Sequence, residues 1–251
     1  MKALITGASS GIGRDISREL AKRGYDLILV ARNIDKLNEV KSSIQNVNVE
    51  IIQMDLSIYE NCKKLYTQVE KEEIDILINN AGFGVFGKFD ETNLDKEIQL
   101  INTNIMAVHA LTKLFLQNMK KRDKGYILNV ASIAAFMPGP LMAAYYASKS
   151  YVVKLSESIR EELRKDKSNV KIGILCPGPV DTNFNNVANV KFNAKSLTSE
   201  YVAEYTVNKI LKNKFYIVPG TQIKLLRIIA KIVPDNIISK FSYKAQERKN
   251  K

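Results

Sequence analysis

The chain has 251 residues, 45% of them hydrophobic and 25% charged, which suits one large α/β domain better than two small ones. Its formal charge of +12 would suit anionic partners, but the sequence has no zinc-ligand pattern, aromatic RNA-binding signature or unbroken basic block. Its two cysteines are too few for a metal site. We therefore expect no nucleic-acid partner and no metal. The N-terminal apolar run is too short for a signal peptide, and no apolar run reaches the about 18 residues that a membrane-spanning helix needs. We therefore expect a cytoplasmic protein.

Short apolar runs alternate along the chain with longer amphipathic segments. Strands are predicted at 3–5, 25–30, 47–54, 74–78, 126–130, 170–175 and 215–218, and helices include 12–22, 34–44, 59–70, 94–119 and 145–163. Alternation of this kind predicts a doubly wound (Rossmann-type) α/β fold, a mostly parallel seven-stranded sheet with helices on both faces. We expect one domain over 1–251, in which 221–251 forms a C-terminal helical extension.

A glycine-rich turn follows the first strand and opens straight into a helix. Glycines let the backbone approach a pyrophosphate, and the helix N-terminus adds free N–H groups and a partial positive charge. Such turns also serve packing alone, but at the first strand–helix junction of an α/β pattern this one favours nucleotide binding. The candidate residues are Thr6, Gly7, Ser9, Ser10, Gly11, Ile12 and Gly13.

The second strand ends without the acidic residue that many NAD-binding proteins use to hold the ribose 2′-hydroxyl. Arg32 stands there instead. A guanidinium can pair with a 2′-phosphate and stack on adenine, and Arg14 can add a second positive charge. Arg32 as a plain surface residue is the alternative, but we favour NADP(H) over NAD(H).

Polar and small residues also follow the third and fourth strands. Asp55, followed by Leu56, can accept a hydrogen bond from an adenine amino group or simply cap the next helix. After the fourth strand come Asn79, Asn80, Ala81 and Gly82. Small residues here let the backbone lie against a cofactor, and an asparagine side chain can tie neighbouring strands together.

Tyr145 and Lys149 are four residues apart, so on a helix they share one face. A free phenol, with a pKa near about 10, is a poor base at neutral pH, but a neighbouring ammonium stabilises its phenolate. Such pairs are usually surface pairs. Here the pair opens the helix that follows the strand ending near Ser132, which favours Tyr145 as a general acid and base.

Taken together, these motifs resemble the short-chain dehydrogenase/reductase family. The matching residues are TGASSGIG at 6–13, Asp55, NNAG at 79–82, Asn104, Ser132, Tyr145 with Lys149, and PGPVDT at 177–182, in the family's order and spacing. The resemblance covers about residues 2–220, and the joint occurrence of the motifs is far more specific than any one of them.

The resemblance implies a role for each catalytic candidate. Tyr145 exchanges the proton, Ser132 holds and polarises the substrate oxygen, and Lys149 also holds the nicotinamide ribose. Asn104 helps to hold a water against the lysine, and the nearby Asn102 is the alternative residue for this role. Tyr145 is selected over Tyr146 because it alone has a lysine four residues later.

The same resemblance places the turn after the sixth strand along the nicotinamide. Its candidate residues are Pro177, Gly178, Val180 and Thr182. Thr182 would bond the carboxamide or a phosphate, although the prolines by themselves could mean only a rigid turn. His109, the one histidine, is assigned no role.

The loops expected over the substrate are apolar, at 83–86, 133–138 and 141–142, and 183–197 is expected to form a mobile lid. These features predict an NADP(H)-dependent oxidoreductase that transfers a hydride between the nicotinamide and a carbonyl or secondary alcohol of an apolar small molecule. The alternatives are a 3-oxoacyl-carrier-protein-type reductase and a non-catalytic NADP-binding regulatory protein. Family members pair through the helices matching about 104–122 and 145–165, which implies a homodimer or homotetramer.

The tail after Gly220 matches no motif of the family. Residues 223–233 read as a helix with a broad apolar face and a narrow basic stripe, stopped by Pro234. We expect this helix to bury its apolar face. We favour its covering the substrate pocket or a neighbouring subunit over its lying in a membrane interface.

Overall fold

The computed structural model describes residues 1–182, 184 and 196–247. Its strands are β1 (Lys2–Thr6), β2 (Asp26–Ala31), β3 (Val49–Gln53), β4 (Ile76–Asn79), β5 (Tyr126–Val130), β6 (Lys171–Leu175), β7 (Val180–Asp181), β8 (Leu197–Thr198) and β9 (Tyr216–Ile217). Its α-helices are α1 (Gly11–Ala21), α2 (Ile34–Ser42), α3 (Tyr59–Val69), α4 (Leu94–Ile101), α5 (Val108–Arg122), α6 (Ala143–Lys165), α7 (Ser199–Ile210), α8 (Thr221–Ile232) and α9 (Asp235–Glu247). A π-helical segment (Asn102–Ala107) joins α4 to α5, and a 3₁₀ turn (Ile133–Phe136) follows β5.

Seven strands form one parallel sheet in the order β3-β2-β1-β4-β5-β6-β9. Helices α1, α2 and α7 pack on one face and α3, α5 and α6 on the other, which is why the strands are nearly continuous runs of buried aliphatic residues. The strand order reverses between β1 and β4, and a crevice opens there beyond their carboxyl ends. The predicted doubly wound, seven-stranded fold is confirmed, with each strand within two residues of its expected bounds.

The predicted helix over 94–119 is interrupted. The π-helical segment lies between α4 and α5 and contains Asn104, which is fully buried. A π turn carries one more residue than an α turn, so it re-aims side chains without ending the helix, and such turns are frequent at functional sites. The apolar pattern continues across the segment, which is why it read as one helix.

The tail consists of two helices, α8 and α9, separated at Pro234. The described part of the chain covers only one side of the first tail helix, and what covers its remaining apolar face stays a prediction. Ile223 and Ala230 face the protein, whereas Leu225, Ile228 and Ile232 on the opposite side of α8 are exposed. In the described part of the chain, no helix has both the length and the hydropathy needed to cross a bilayer.

Candidate active site

A cleft of about 370 Å³ opens at the carboxyl ends of the strands, where the strand order reverses. Its lining joins residues that are far apart in the chain, from the glycine-rich turn to the end of β5 and the start of α6. The predicted cofactor residues that line it are Gly7, Ser9, Ser10, Gly11, Ile12, Arg32, Asp55, Leu56, Asn80, Ala81, Gly82, Tyr145, Lys149, Pro177, Val180 and Thr182.

Hydrogen bonds fix the glycine-rich turn to the end of β4. The Thr6 hydroxyl accepts the backbone N–H groups of Asn80 (3.0 Å) and Ala81 (3.1 Å). The Asn80 amide in turn donates to the carbonyls of Thr6 (3.0 Å) and Gly7 (3.1 Å). Gly7 has φ +64°, and a Cβ there would lie 2.9 Å from Ala81 Cα, so only glycine fits. The turn is thus a rigid cradle in front of the α1 N-terminus, as a pyrophosphate requires.

Three predicted cofactor residues, Thr6, Gly13 and Gly178, do not line the cleft. Thr6 is buried and holds the two loops together, as described above. Gly13 packs against the Asn80 side chain, and Gly178 lies beneath Ile223 of α8. These residues shape the walls of the site from behind.

Positive charge gathers at the far end of the cleft. Arg32 lines it beside Asn33 and Lys36, and Asn33 caps α2 by accepting the N–H of Lys36 at 2.9 Å. Of the described residues that line the cleft, only Asp55 carries a carboxylate, and one of its oxygens accepts the N–H of Ser57 at 2.9 Å. Lys36 was missed; it lies in the first turn of α2, whose cap Asn33 directly follows Arg32.

Arg14 does not line the cleft itself but lines an adjoining pocket together with Lys36. Its guanidinium donates twice to Asp15, at 2.8 and 3.0 Å, and lies 3.8 Å from Glu200 of α7. The Asp15 carboxyl holds the pKa of Arg14 above its usual value. Arg14 is thus ion-paired where it lies, and its role as a second positive charge towards the cofactor stays a prediction.

Tyr145, Ser132 and Lys149 meet at the near end of the cleft. The hydroxyl of Tyr145 is hydrogen-bonded to that of Ser132, and burial raises the pKa of Tyr145 to about 12, partly opposed by this bond. Lys149 is buried and donates to the Val130 carbonyl at 2.8 Å, with Nζ 5.8 Å from the Tyr145 ring centre. Burial lowers the pKa of Lys149 to about 8. A phenol and an ammonium with displaced pKa values thus share one pocket.

Asn104 clamps the loop that follows β4. Its carboxamide accepts the N–H of Phe83 at 3.1 Å and donates to the Phe83 carbonyl at 2.9 Å and to Ser148 at 3.1 Å. A Cβ on Gly82 would lie 2.9 Å from Asn104 Oδ1 and 3.4 Å from Lys149 Nζ. Asn104 and Lys149 therefore both lie against the same side of Gly82, where only hydrogen fits.

Beneath the site, a buried polar network joins β4 to β5. The Asn79 amide donates to Thr112 (3.0 Å) and to Asn129 (2.9 Å), and Asn129 donates to Ser156 of α6 (2.9 Å). The expectation that an asparagine here ties strands together is confirmed. Because the network reaches α6, it also links the sheet to the helix that carries Tyr145.

The substrate side of Tyr145 is apolar. Met142 is buried, with Phe86, Tyr145, Tyr146 and Phe184 packed around it. The predicted apolar loops at 83–86 and 141–142 thus meet here. Of the expected lid, 183 and 185–195 lie outside the described residues, and the Phe184 ring is tilted against that of Tyr145 with 5.3 Å between the ring centres.

Two aromatic residues near Tyr145 do not lie where the sequence suggested. Phe136, expected over the substrate, packs instead towards the core and Tyr216. Tyr146, treated only as a rival to Tyr145, forms part of the apolar wall, and its hydroxyl is held by Gln246 of α9 at 2.6 Å. Because Gln246 is 100 residues away along the chain, the sequence around Tyr146 gives no sign of this contact.

Residues 1–192 match the family model described as short chain dehydrogenase. The chain belongs to the short-chain dehydrogenase/reductase family. As the description of the model says, members of this family are short-chain dehydrogenases.

Two relatives illustrate the match. The very-long-chain 3-oxoacyl-CoA reductase of Mus musculus is 37% identical over 171 residues, which are 64% of this chain and 54% of that protein. The 17-beta-hydroxysteroid dehydrogenase type 3 of Homo sapiens is 38% identical over 210 residues, which are 80% of this chain and 66% of that protein. The matched region is thus between about half and two thirds of the relatives' own length.

Two solved structures share the fold closely. The short-chain dehydrogenase from Sphingobium yanoikuyae in complex with NADPH has a TM-score of 0.82 and 27% identity over 88% of each chain. The short-chain dehydrogenase/reductase from Burkholderia phymatum in complex with NAD has a TM-score of 0.82 and 26% identity over 90% of this chain and 91% of that one. The fold binds a nicotinamide cofactor, and these two structures hold different forms of it.

Proposed function

We propose that this chain is an NADP(H)-dependent reductase or dehydrogenase that interconverts a carbonyl and a secondary alcohol on an apolar small molecule. The observation that carries the proposal is the Tyr145 hydroxyl, bonded to Ser132 and adjacent to buried Lys149. This group lies between the cofactor cleft and an apolar wall that includes Met142. A proton donor so placed faces both the nicotinamide end and the substrate.

The residues present suit the cofactor. The Gly7 turn lies open to the α1 N-terminus, and the Gly82 backbone has no side chain to obstruct the cleft. When bound, the nicotinamide supplies or accepts the hydride. Ser132 holds the substrate oxygen, and Tyr145 donates a proton to that oxygen during reduction and removes it during oxidation. The ammonium of Lys149 stabilises the phenolate and donates to the nicotinamide ribose.

Asn104 acts as a positioning residue in this proposal. Its carboxamide is occupied by Phe83 and Ser148, so its side chain holds the Gly82 backbone in place. Resemblance to the family also assigns it a share in holding a water against Lys149, whose Nζ lies near the same side of Gly82 as Asn104 Oδ1.

Preference for NADP(H) rests on the positive end of the cleft. Arg32 and Lys36 line it, and Asp55 is the sole carboxylate among the described lining residues. Two cations with no acid to hold the 2′-hydroxyl favour a 2′-phosphate.

The apolar wall around Met142 favours a bulky hydrophobic substrate over a sugar or a free carboxylate. The names of the two relatives suggest two classes, a long-chain 3-oxoacyl thioester and a hydroxysteroid. A non-catalytic NADP-binding protein is a weaker second candidate, because all four predicted catalytic residues are present. We keep the cytoplasm as the proposed compartment, since Cys62 and Cys176 are both free and buried.

The test is a screen of NADPH and NADH oxidation over ketones of graded size, including 3-oxoacyl thioesters and ketosteroids. We expect turnover with NADPH on apolar substrates and little on sugars or 2-oxo acids. No turnover on any carbonyl, with NADPH bound tightly, would instead support the non-catalytic alternative.

A further inference from the structure

The two helices of the tail expose large apolar side chains. On α8 the exposed fractions are 58% for Leu225, 56% for Ile228 and 76% for Ile232. On α9, Ile237 is 44% and Phe241 is 70% exposed. We call these five residues the C-terminal face. Isolated exposed apolar residues are ordinary, but so many on two consecutive helices indicate a contact surface.

The opposite sides of both helices are anchored, so the C-terminal face is held outward. Ile223 of α8 packs on the turn at Gly178, where an added Cβ would lie 2.4 Å from its Cδ1. The guanidinium of Arg227 lies 3.4 Å from the centre of the Tyr216 ring. On α9, Gln246 donates to the Tyr146 hydroxyl. Turning the apolar residues inward would break these contacts, so the described part of the chain leaves the face exposed.

Positive charge is concentrated in the same segment. Residues 221–251 contain eight basic and two acidic residues and so carry six of the twelve net positive charges. On α9, exposed Lys240 lies three residues after Ile237 and exposed Lys244 three residues after Phe241, on the same side of the helix. Lysines beside apolar residues can lay their methylene stems along a lipid surface while their ammonium groups reach the headgroups.

We propose that the C-terminal face binds an anionic membrane surface, with α8 and α9 lying in the interface. Apolar side chains flanked by lysines fit the boundary between acyl chains and anionic headgroups. A second copy of the chain fits less well, because it would oppose one excess of positive charge with another. In the described part of the two helices, a second copy would find acidic side chains at Asp235 and Glu247 to pair with its lysines and arginines.

The location of the face gives it a use, which rests on the function proposed above. Helix α8 lies against the Gly178 turn, and α9 holds Tyr146 in the apolar wall beside Tyr145. Both helices therefore border the pocket from the side that would meet the membrane. An apolar substrate dissolved in a bilayer would reach the pocket with little exposure to water.

The test is co-sedimentation of the full chain with vesicles of phosphatidylcholine alone or mixed with phosphatidylserine. We expect binding to the mixed vesicles, much weaker binding to the neutral ones, and release at high salt. The variant I228S/I232S should lose affinity roughly tenfold or more, and K240E/K244E on the order of tenfold. The control I58S/L94S removes two apolar residues, 52% and 68% exposed, elsewhere on the surface and should bind like the parent.

Circular dichroism and NADPH affinity check that each variant is folded, and turnover of a water-soluble ketone should be unchanged in I228S/I232S. Failure of the parent chain to bind anionic vesicles, or equal loss in the control, overturns the proposal. So does a parent dimer that becomes a monomer in I228S/I232S, which would assign the face to a second copy. Because vesicle binding is measured without substrate, it can fail while the enzymatic proposal stands.

Discussion

At the Tyr145 hydroxyl, burial and hydrogen bonding act in opposite directions. Burial raises the pKa to about 12, and the bond to Ser132 opposes the rise. The phenol is therefore protonated at neutral pH and ready to donate to a developing alkoxide in reduction. Oxidation needs the phenolate, which the positive charge of Lys149 favours.

Tyr145→Phe should lower kcat by roughly a hundredfold or more, because the ring remains and only the exchangeable proton is lost. The Kd for NADPH should change little. The matched control is Tyr146→Phe, which removes the neighbouring hydroxyl held by Gln246 and should retain most turnover. Steady-state kinetics and NADPH fluorescence titration measure both effects. If the two variants behaved alike, Tyr145 would not be the proton donor.

The pH profile of reduction should report on Lys149. Burial lowers the pKa of this ammonium from 10.5 to about 8, so its charge is lost as the pH rises through about 8. Once neutral, it no longer stabilises negative charge on Tyr145 or holds the ribose as a cation. We expect kcat for reduction to be level between pH 6 and 7.5 and to fall above about pH 8. A level profile up to pH 9.5 would contradict this assignment.

Arg32→Asp should reverse the cofactor preference. The change puts a carboxylate where a 2′-phosphate is proposed to lie, so kcat/KM with NADPH should fall and that with NADH should rise. Lys41→Asp makes the same charge change at the far end of α2, outside the cleft, and serves as the control. A parent enzyme that already prefers NADH would refute the role given to Arg32.

At the scale of elements, the order of strands and most helices follows from the sequence because each has its own hydrophobic period. Features set by distant contacts do not. The π-helical segment around Asn104 keeps the apolar pattern of an α-helix, so the pattern carries no sign of it. Arg14 contacts Glu200 on α7, and Tyr146 is hydrogen-bonded to Gln246 on α9. Hydrophobic periodicity does not predict contacts between such distant residues.

Truncation after Gly220 should raise the KM for an apolar ketone while leaving NADPH binding largely intact. It removes α8 from the Gly178 turn and α9 from Tyr146, whereas the glycine-rich turn and Arg32 stay in place. The single variant Gln246→Leu should show a smaller KM effect in the same direction, because it removes the hydrogen bond to Tyr146 but leaves both helices in the chain. A truncated enzyme with unchanged KM would show that the tail does not shape the pocket.

For the whole molecule, we expect a dimer through α5 and α6. Exposed His109 and Tyr151 join these helices, with Nδ1 2.7 Å from the phenol oxygen, and Tyr151 is 37% exposed. Tyr151→Glu puts a charge into that surface and should shift a micromolar sample towards monomer in light scattering. Tyr201→Glu, on α7 across the sheet and 45% exposed, should leave the mass unchanged.

The I228S/I232S variant should also remain dimeric, because the proposed surface between copies and the proposed surface towards lipid are separate. A parent chain that is monomeric at micromolar concentration would rule out the α5–α6 pairing.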